Sequence, residues 1–374
     1  MSKPFIMYGW HLSYFAGKVR CYLAYKGIPF VDQPVDWYTL TQRIKRETGA
    51  VVMPVLRTPE DEWIQDSSII IERMEERFPA LPVVPTSPVQ RFAASLIEAW
   101  GDEWWMPIAM HTRWSYPENF ALFEHDAGNA LLPHFPGFMK RLAVAQVAKT
   151  LRGYLHVVGI RPEQTSVLEN WTHHMLDLLD AHFAAQPFLL GGHPTLADYG
   201  LVGTMYGHLG RDPWPAREMI APRKRLRAWI DRMAAPHADN TAAHGGPDFG
   251  PLLADDALAE TLAPILRILF AEFTSMIEGV NQQVRAVANK FPAGKPLPRS
   301  LGDVVIPTGA GVIKRAALPF MLWKAQRVLD VYRALSVADQ AKVARWVGDF
   351  GGEAFLALDL PRVRRVGLRI ALES

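Results

Sequence analysis

Three short stretches near the N-terminus carry groups that could act on one ligand. They are Ser13 within Leu12-Ser13-Tyr14-Phe15-Ala16-Gly17-Lys18-Val19-Arg20, Met53-Pro54 within a β-prone run, and Asp66-Ser67 before an amphipathic segment. Ser13 stands where the apolar run Phe5 to Tyr8 gives way to helical periodicity. A hydroxyl at such a junction can cap the helix or turn toward a ligand. Pro54 cannot donate to a sheet ladder. It belongs at an edge, at a strand start, or at a turn whose cis bond leaves the N–H and C=O of Met53 facing a ligand. Asp66 or Ser67 can serve as N-cap of the helix that follows.

These groups need a frame. Phe15, Val19, Tyr22 and Leu23 fall on one face of a helix, which Gly27 ends and Pro29 forbids from continuing. Phe30 and Val31 start a second strand, and residues 38–48 carry a weaker helical pattern. Residues 51–56 read as a third strand, Thr58-Pro59-Glu60-Asp61 as a turn, and residues 62–65 as the second arm of a hairpin. Ile69, Ile70, Met74 and Phe78 then mark a helix. The order is β-α-β-α-β-β-α.

With Ser-Tyr-Phe-Ala-Gly-Lys-Val-Arg at the first helix, Met-Pro-Val at the third strand and Gln-Asp-Ser-Ser-Ile-Ile at the last helix, this order resembles the thioredoxin-like N-terminal domain of glutathione transferases. The resemblance implies that Met53, before cis-Pro54, pairs its backbone with the cysteinyl part of glutathione, and that Asp66 and Ser67 hold its γ-glutamyl group. It places Ser13 at the catalytic position of the serine- and cysteine-type classes. Tyr14 stands where a proline is common there, and Ala16 where some members carry another Ser. In the tyrosine-type classes the hydroxyl comes from the end of the first strand, where Tyr8 stands, so Ser13 and Tyr8 are rival catalytic candidates with Ser13 preferred. Cys21 lies well inside the helix and reads as a buried small residue. The chemistry asks for little. Lowering a thiol pKa from about 8.5 to about 6.5 takes roughly 2.7 kcal/mol. One hydrogen bond to a charged group contributes about 1.5–3 kcal/mol and a helix N-terminus about 0.3–1.

Beyond the proline-rich residues 81–88, an expected linker, the pattern turns helical. Residues 91–114 hold Trp100, Trp104, Trp105 and Trp114, with Pro107 as a break. Tryptophans on a helix ordinarily pack a core. The resemblance adds that this helix lines the pocket for a hydrophobic co-substrate, which makes Trp104, His111 and Trp114 candidate wall residues. Residues 115–160 give no clear pattern, whereas Leu168, Trp171, Met175, Leu178, Leu179 and Phe183 give an amphipathic helix. Thr195 and Asp198 have capping-box spacing. The surrounding Phe-Leu-x-Gly and Pro-Thr-Leu-Ala-Asp-Tyr resemble the C-terminal-domain signature of the same family, with a role in folding.

The resemblance stops near residue 235. Pro236 to Pro251 reads as a loop, and the rest as a mostly helical extension: a helix on Leu262 to Val280 with Pro264 in its first turn, a Gly/Pro-rich stretch holding a short strand at Val304-Val305-Ile306, and a helix on Leu318 to Leu335 before a Ser336/Asp339 cap. The expected fold is thus an α/β thioredoxin-like domain (1–80), a linker (81–88), an all-α glutathione-transferase-type domain (89–235) and an extension (236–374) packed on the helical domain.

Composition bounds the function. The 374 residues carry a net charge of +2, which gives no electrostatic footprint for nucleic acid or a membrane surface. The basic cluster Arg362-Val363-Arg364-Arg365 reads as a solvated face. No run approaches the roughly 20 apolar residues of a membrane helix, and the N-terminus lacks a signal-peptide core. One cysteine excludes an intrachain disulfide and a cysteine-based zinc site. His173, His174 and His182 lack a carboxylate to complete a metal set. The expectation is a cytoplasmic transferase with glutathione as co-substrate, no metal, a small hydrophobic electrophile, no nucleic-acid or membrane partner, and, by family resemblance, a homodimeric state. The alternatives are a non-catalytic, metaxin-like binding or assembly protein and a glutathione-dependent isomerase or reductive-cleavage enzyme.

Overall fold

The computed structural model describes residues 3–235 and 250–373, so most of the loop expected at 236–251 lies outside the described residues. The chain opens with β1 (Phe5–Tyr8), α1 (Tyr14–Tyr25) and β2 (Phe30–Gln33). A π-helical stretch, Thr39–Ile44, runs into the short α2 (Lys45–Thr48), followed by β3 (Val55–Arg57), β4 (Trp63–Gln65) and α3 (Ser67–Arg77). The helices α4 (Pro88–Trp104), α5 (Met106–Trp114), α6 (Glu118–Leu131), α7 (Gly137–Arg152), α8 (Thr165–Ala185), α9 (Leu196–Thr204), α10 (Lys224–Ala234) and α11 (Ala263–Val287) come next. The hairpin β5 (Asp303–Thr308) and β6 (Gly311–Ala316), α12 (Phe320–Arg333), α13 (Val337–Gly348) and the hairpin β7 (Val363–Val366) and β8 (Arg369–Leu372) complete the order.

The described chain forms two compact units. The first comprises Met1–Val83, Ala109–Tyr154 and Tyr199–Gly250; the second comprises Val84–Ile108, Leu155–Asp198 and Pro251–Ser374. In the first, four strands make one sheet in the order β2-β1-β3-β4. β1 is parallel to β2, which demands a crossover, and α1 supplies it. β1 and β4 both run antiparallel to β3. Helices α1 and α3 bury Val19, Tyr22 and Leu23 with Ile70, Ile71 and Met74. Between them Glu75 accepts from Lys26 Nζ at 2.6 Å, the Tyr22 hydroxyl at 2.7 Å and the Val83 N–H at 2.9 Å. This is the thioredoxin-like frame.

Residues 115–160, unreadable from periodicity, hold α6 and α7. The reason is visible on α7. Val144 and Ala148 are its buried residues, while Phe138 and Leu142 are exposed, so the apolar positions do not gather on one inward face. Pro107 falls in the first turn of α5, where its missing N–H removes no intrahelical bond.

In the second unit the tryptophans form a core. Trp100 and Trp105 meet edge to face at 5.6 Å between ring centroids, and Trp105 lies 5.1 Å from Trp171 of α8. The Trp171 indole N–H donates to Glu272 of α11 at 2.8 Å. Lys324 of α12 donates to Asp102 of α4 at 2.6 Å, both side chains buried. The first turn of α4 is capped from far along the chain, the N–H groups of Val89 and Gln90 each donating to Asp256 at 2.9 Å. Residues 251–373 are therefore packed with α4 and α8 in one core. The capping box at Thr195 and Asp198 extends further than its spacing predicts, since Asp198 also accepts from the Leu189 N–H at 3.0 Å. Ser336 caps α13 by accepting from the Asp339 N–H. The short strand expected at 304–306 is one arm of a hairpin that turns Val304, Ile306, Ile313 and Arg315 inward. The basic cluster at 362–365, read as solvated, contributes to β7. There Val363 is buried and the Arg365 guanidinium lies 5.1 Å from the Trp323 ring centroid.

Burial pushes the Glu272 carboxyl up to about 8, against the pull of the Trp171 and Gly309 N–H donors. Between its ordinary value and that value the folded chain holds a proton that the unfolded chain has released, so this group's contribution to stability falls as pH rises through the window. The expected wild-type minus Glu272→Gln difference in unfolding free energy, measured by urea titration, declines by about 1–3 kcal/mol between about pH 5 and pH 8.

Candidate functional site

The sheet register brings the three N-terminal stretches to one end of the first unit. Tyr8 pairs with Val55, and Val55 pairs with Gln65. The end of β1, the start of β3 and the end of β4 are therefore in line. From that line emerge the turn to Ser13, the Met53-Pro54 segment and the Asp66-Ser67 helix start.

Ser13 has extended backbone angles, φ −84° and ψ 125°, and its Oγ accepts from the Ala16 N–H at 3.3 Å. The cap takes one lone pair of Oγ and leaves the hydroxyl proton to donate elsewhere. Ser13 is half-buried and lines a cavity of about 590 Å³ within the first unit. Trp10, Leu12, Tyr14, Trp37, Leu40, Met53, Met110, Trp114, Phe123, Leu131 and Leu151 make most of its wall apolar. Among the described lining residues only Arg113 carries a formal charge.

The Met53-Pro54 bond is cis, Pro54 is buried just before β3, and Met53 lines the cavity with Ser13. Asp66 takes φ 82° and caps α3, accepting from the N–H groups of Ser68 at 3.0 Å and Ile69 at 3.3 Å. A non-glycine residue in that region costs on the order of 1–3 kcal/mol and persists where its surroundings hold it. Ser67, buried, opens the helix, and buried Lys18 reaches from α1 to the neighbouring Ser68 Oγ at 3.5 Å.

The other candidates fall in different places. Tyr8 is buried in the sheet with its ring stacked on Trp63 at 5.2 Å, and its hydroxyl engages Arg57; it is not a cavity-lining residue. Trp114 forms cavity wall, its ring edge-on to Phe123 at 4.7 Å. His111 is buried with Nδ1 on the Ser115 hydroxyl at 2.8 Å, and Trp104 belongs to the second unit, 5.7 Å from Trp171. Burial pushes the Cys21 thiol up to about 12, which leaves it unreactive. Two cavity residues, Arg113 and His208, were not singled out in the sequence. Arg113 meets His208 across 95 positions and Asp212 across 99, and no local pattern marks such a pairing. Burial, reinforced by the Arg113 charge, pushes His208 well below its ordinary value, so its imidazole is neutral. Among the described residues no group of three or more His, Cys, Asp and Glu side chains could hold a metal ion, and no helix is long and apolar enough to cross a membrane.

Comparison with known families is consistent with this geometry. The pattern of the glutathione S-transferase N-terminal domain matches residues 7–82, and that of the C-terminal domain matches residues 172–232. Residues 7–82 and 172–232 are thus glutathione S-transferase N- and C-terminal domains. Stringent starvation protein A homologs of Histophilus somni and Pasteurella multocida are each 30% identical to this chain over 91 residues. The match covers 24% of this chain and 42% of theirs, so it spans less than half the length of those curated relatives. Among solved structures, a glutathione S-transferase of Methylobacterium radiotolerans in complex with glutathione sulfonate is 19% identical, with a TM-score of 0.38 over 68% of this chain and 100% of that one. FzlA from C. crescentus is 16% identical, with a TM-score of 0.40 over 69% and 97%.

The cap gives this transferase-family domain a measurable signature. Ser13→Ala is expected to lower stability by about 1 kcal/mol, read from the thermal or urea midpoint, because the Ala16 N–H loses its acceptor.

Proposed function

We propose that this chain binds glutathione through Ser13, Met53, Asp66 and Ser67 and conjugates its thiolate to a small hydrophobic electrophile held in the apolar cavity. The observation that carries the reading is the placement of Ser13. Its oxygen caps α1 while its proton is left to donate, and it shares one cavity wall with Met53, next to a cis peptide bond. A donor at a helix start is what a thiolate requires, and the α1 N-terminus adds its dipole. Asp66, whose Oδ1 caps α3, suits the ammonium of a γ-glutamyl group, and Ser67 at the α3 start suits its carboxylate. Trp114, with Trp37, Met110, Phe123 and Leu151, suits the electrophile. Ser13 is preferred over Tyr8, whose ring is stacked on Trp63 and whose hydroxyl lies on Arg57. The attack needs no metal and no protein-bound intermediate: the sulfur lone pair forms the new bond to carbon as the leaving group departs with its electrons.

A second reading has one observation in its favour. The similarity to stringent starvation protein A homologs, whose name states no transferase activity, suits a non-catalytic binding or assembly protein built on the same fold.

Calorimetry and thermal denaturation with glutathione separate the two readings. Glutathione at a hundred times its Kd is expected to stabilise the chain by about 2.7 kcal/mol. Binding without turnover of any aromatic or alkyl electrophile favours the second reading, and absence of binding overturns the first. In the active protein, Ser13→Ala is expected to raise the pKa of bound thiol by about 1–2 units with little loss of glutathione affinity, followed by thiolate absorbance against pH. Tyr8→Phe leaves that pKa in place; the reverse pattern reassigns the role to Tyr8.

A further inference from the structure

Arg113 lines the cavity, yet its geometry does not suit a ligand-binding cation. A guanidinium has five N–H donors, and here each has an acceptor inside the first unit. Nε donates to Asp212 Oδ2 at 2.8 Å and Nη2 to Asp212 Oδ1 at 2.9 Å, a bidentate pair. The second Nη2 proton goes to the Gly207 carbonyl at 2.9 Å. Nη1 donates to the Leu12 carbonyl at 2.6 Å and to His208 Nε2 at 3.2 Å. The last bond fixes a tautomer: His208 Nδ1 donates to the Ala109 carbonyl at 3.0 Å, which leaves Nε2 as the acceptor. A neutral imidazole, which burial enforces, is required for that role. Arg113 and Asp212 are both buried, at 5% and 1% exposure, so the charges neutralise each other out of water.

The Leu12 carbonyl is the informative acceptor. It belongs to the same planar peptide as the Ser13 N–H, so fixing the one fixes the other. The Ser13 N–H in turn donates to the Trp10 carbonyl at 3.0 Å. On the far side, a Cβ at Gly203 would lie 2.8 Å from the Tyr14 ring, a separation that only glycine allows. We infer that Arg113, held by Asp212 and His208, is a positioning residue that sets the place of the Ser13 hydroxyl through the Leu12 carbonyl. This rests on the glutathione reading above. A displacement of well under an ångström is enough to weaken a hydrogen bond to a thiolate, and the bond is made only if Oγ stands where the sulfur binds.

The experiment uses Arg113→Lys and Asp212→Asn in the full chain, with three readouts: far-ultraviolet circular dichroism for folding, affinity for S-methylglutathione, whose sulfur carries no charge, and the pH profile of thiolate formation on the protein. A lysine ammonium has three donors at one point and cannot span Asp212, Leu12, Gly207 and His208. The expected result is retained S-methylglutathione affinity within about threefold and a profile midpoint displaced upward by about one pH unit. Ser13→Ala combined with Arg113→Lys is expected to move the midpoint no further than Ser13→Ala alone. A folded variant with reduced thermal stability and an unmoved midpoint overturns the inference, and so does failure of both variants to fold where the wild type folds. Failure of the wild type to bind glutathione overturns the glutathione reading itself, which separates the two outcomes.

Discussion

The N-terminus of α1 is the constraint around which the first unit is arranged. A helix start has N–H groups that need acceptors and a dipole that favours negative charge. In this chain it must be held on several sides while one side stays open to a cavity. Ser13 Oγ meets the Ala16 N–H, Arg113 meets the Leu12 carbonyl, and the stretch around Gly203 and Gly207 closes on Tyr14 and Ser13. The register Tyr8 to Val55 to Gln65 then sets the Met53-Pro54 and Asp66-Ser67 stretches beside it.

What was legible in the sequence is what is local. The cap at Ser13, the cap at Ser336 with Asp339 and the strand and helix alternation of the first eighty residues each depend on neighbours a few positions away. What was illegible depends on distance along the chain or on an inverted pattern. Arg113 and Asp212 form one unit only once the chain is folded. In the β5–β6 hairpin, Val305 and Val312 are exposed at 59% and 52% while Arg315 is buried at 1%, so polarity points to the wrong face. Helix α7 hides for a related reason, its large apolar side chains being outward.

Buried charge is paired in both units. In the first, the buried Arg113 and Asp212 neutralise each other beside a cavity, and His208 adds none. The cavity interior is thus apolar and electrically quiet, conditions under which a single hydroxyl donor has a large effect on a nearby anion. In the second, buried charge is structural. Lys324 lies between Asp102 and Glu98, at 2.6 and 3.8 Å, and binds helices far apart in the chain.

That second arrangement bears on how this chain could have changed over time. Helix α4 has its first turn capped by Asp256 and its buried Asp102 matched by Lys324, both from residues beyond the family's two domain segments. Trimming those later residues would strip a carboxylate in the core of its ammonium and open two N–H groups at once, a loss of several kcal/mol by ordinary measures. The extension is therefore not a detachable appendix. Exchanging this tail for another would require rewriting a helix more than 150 residues upstream.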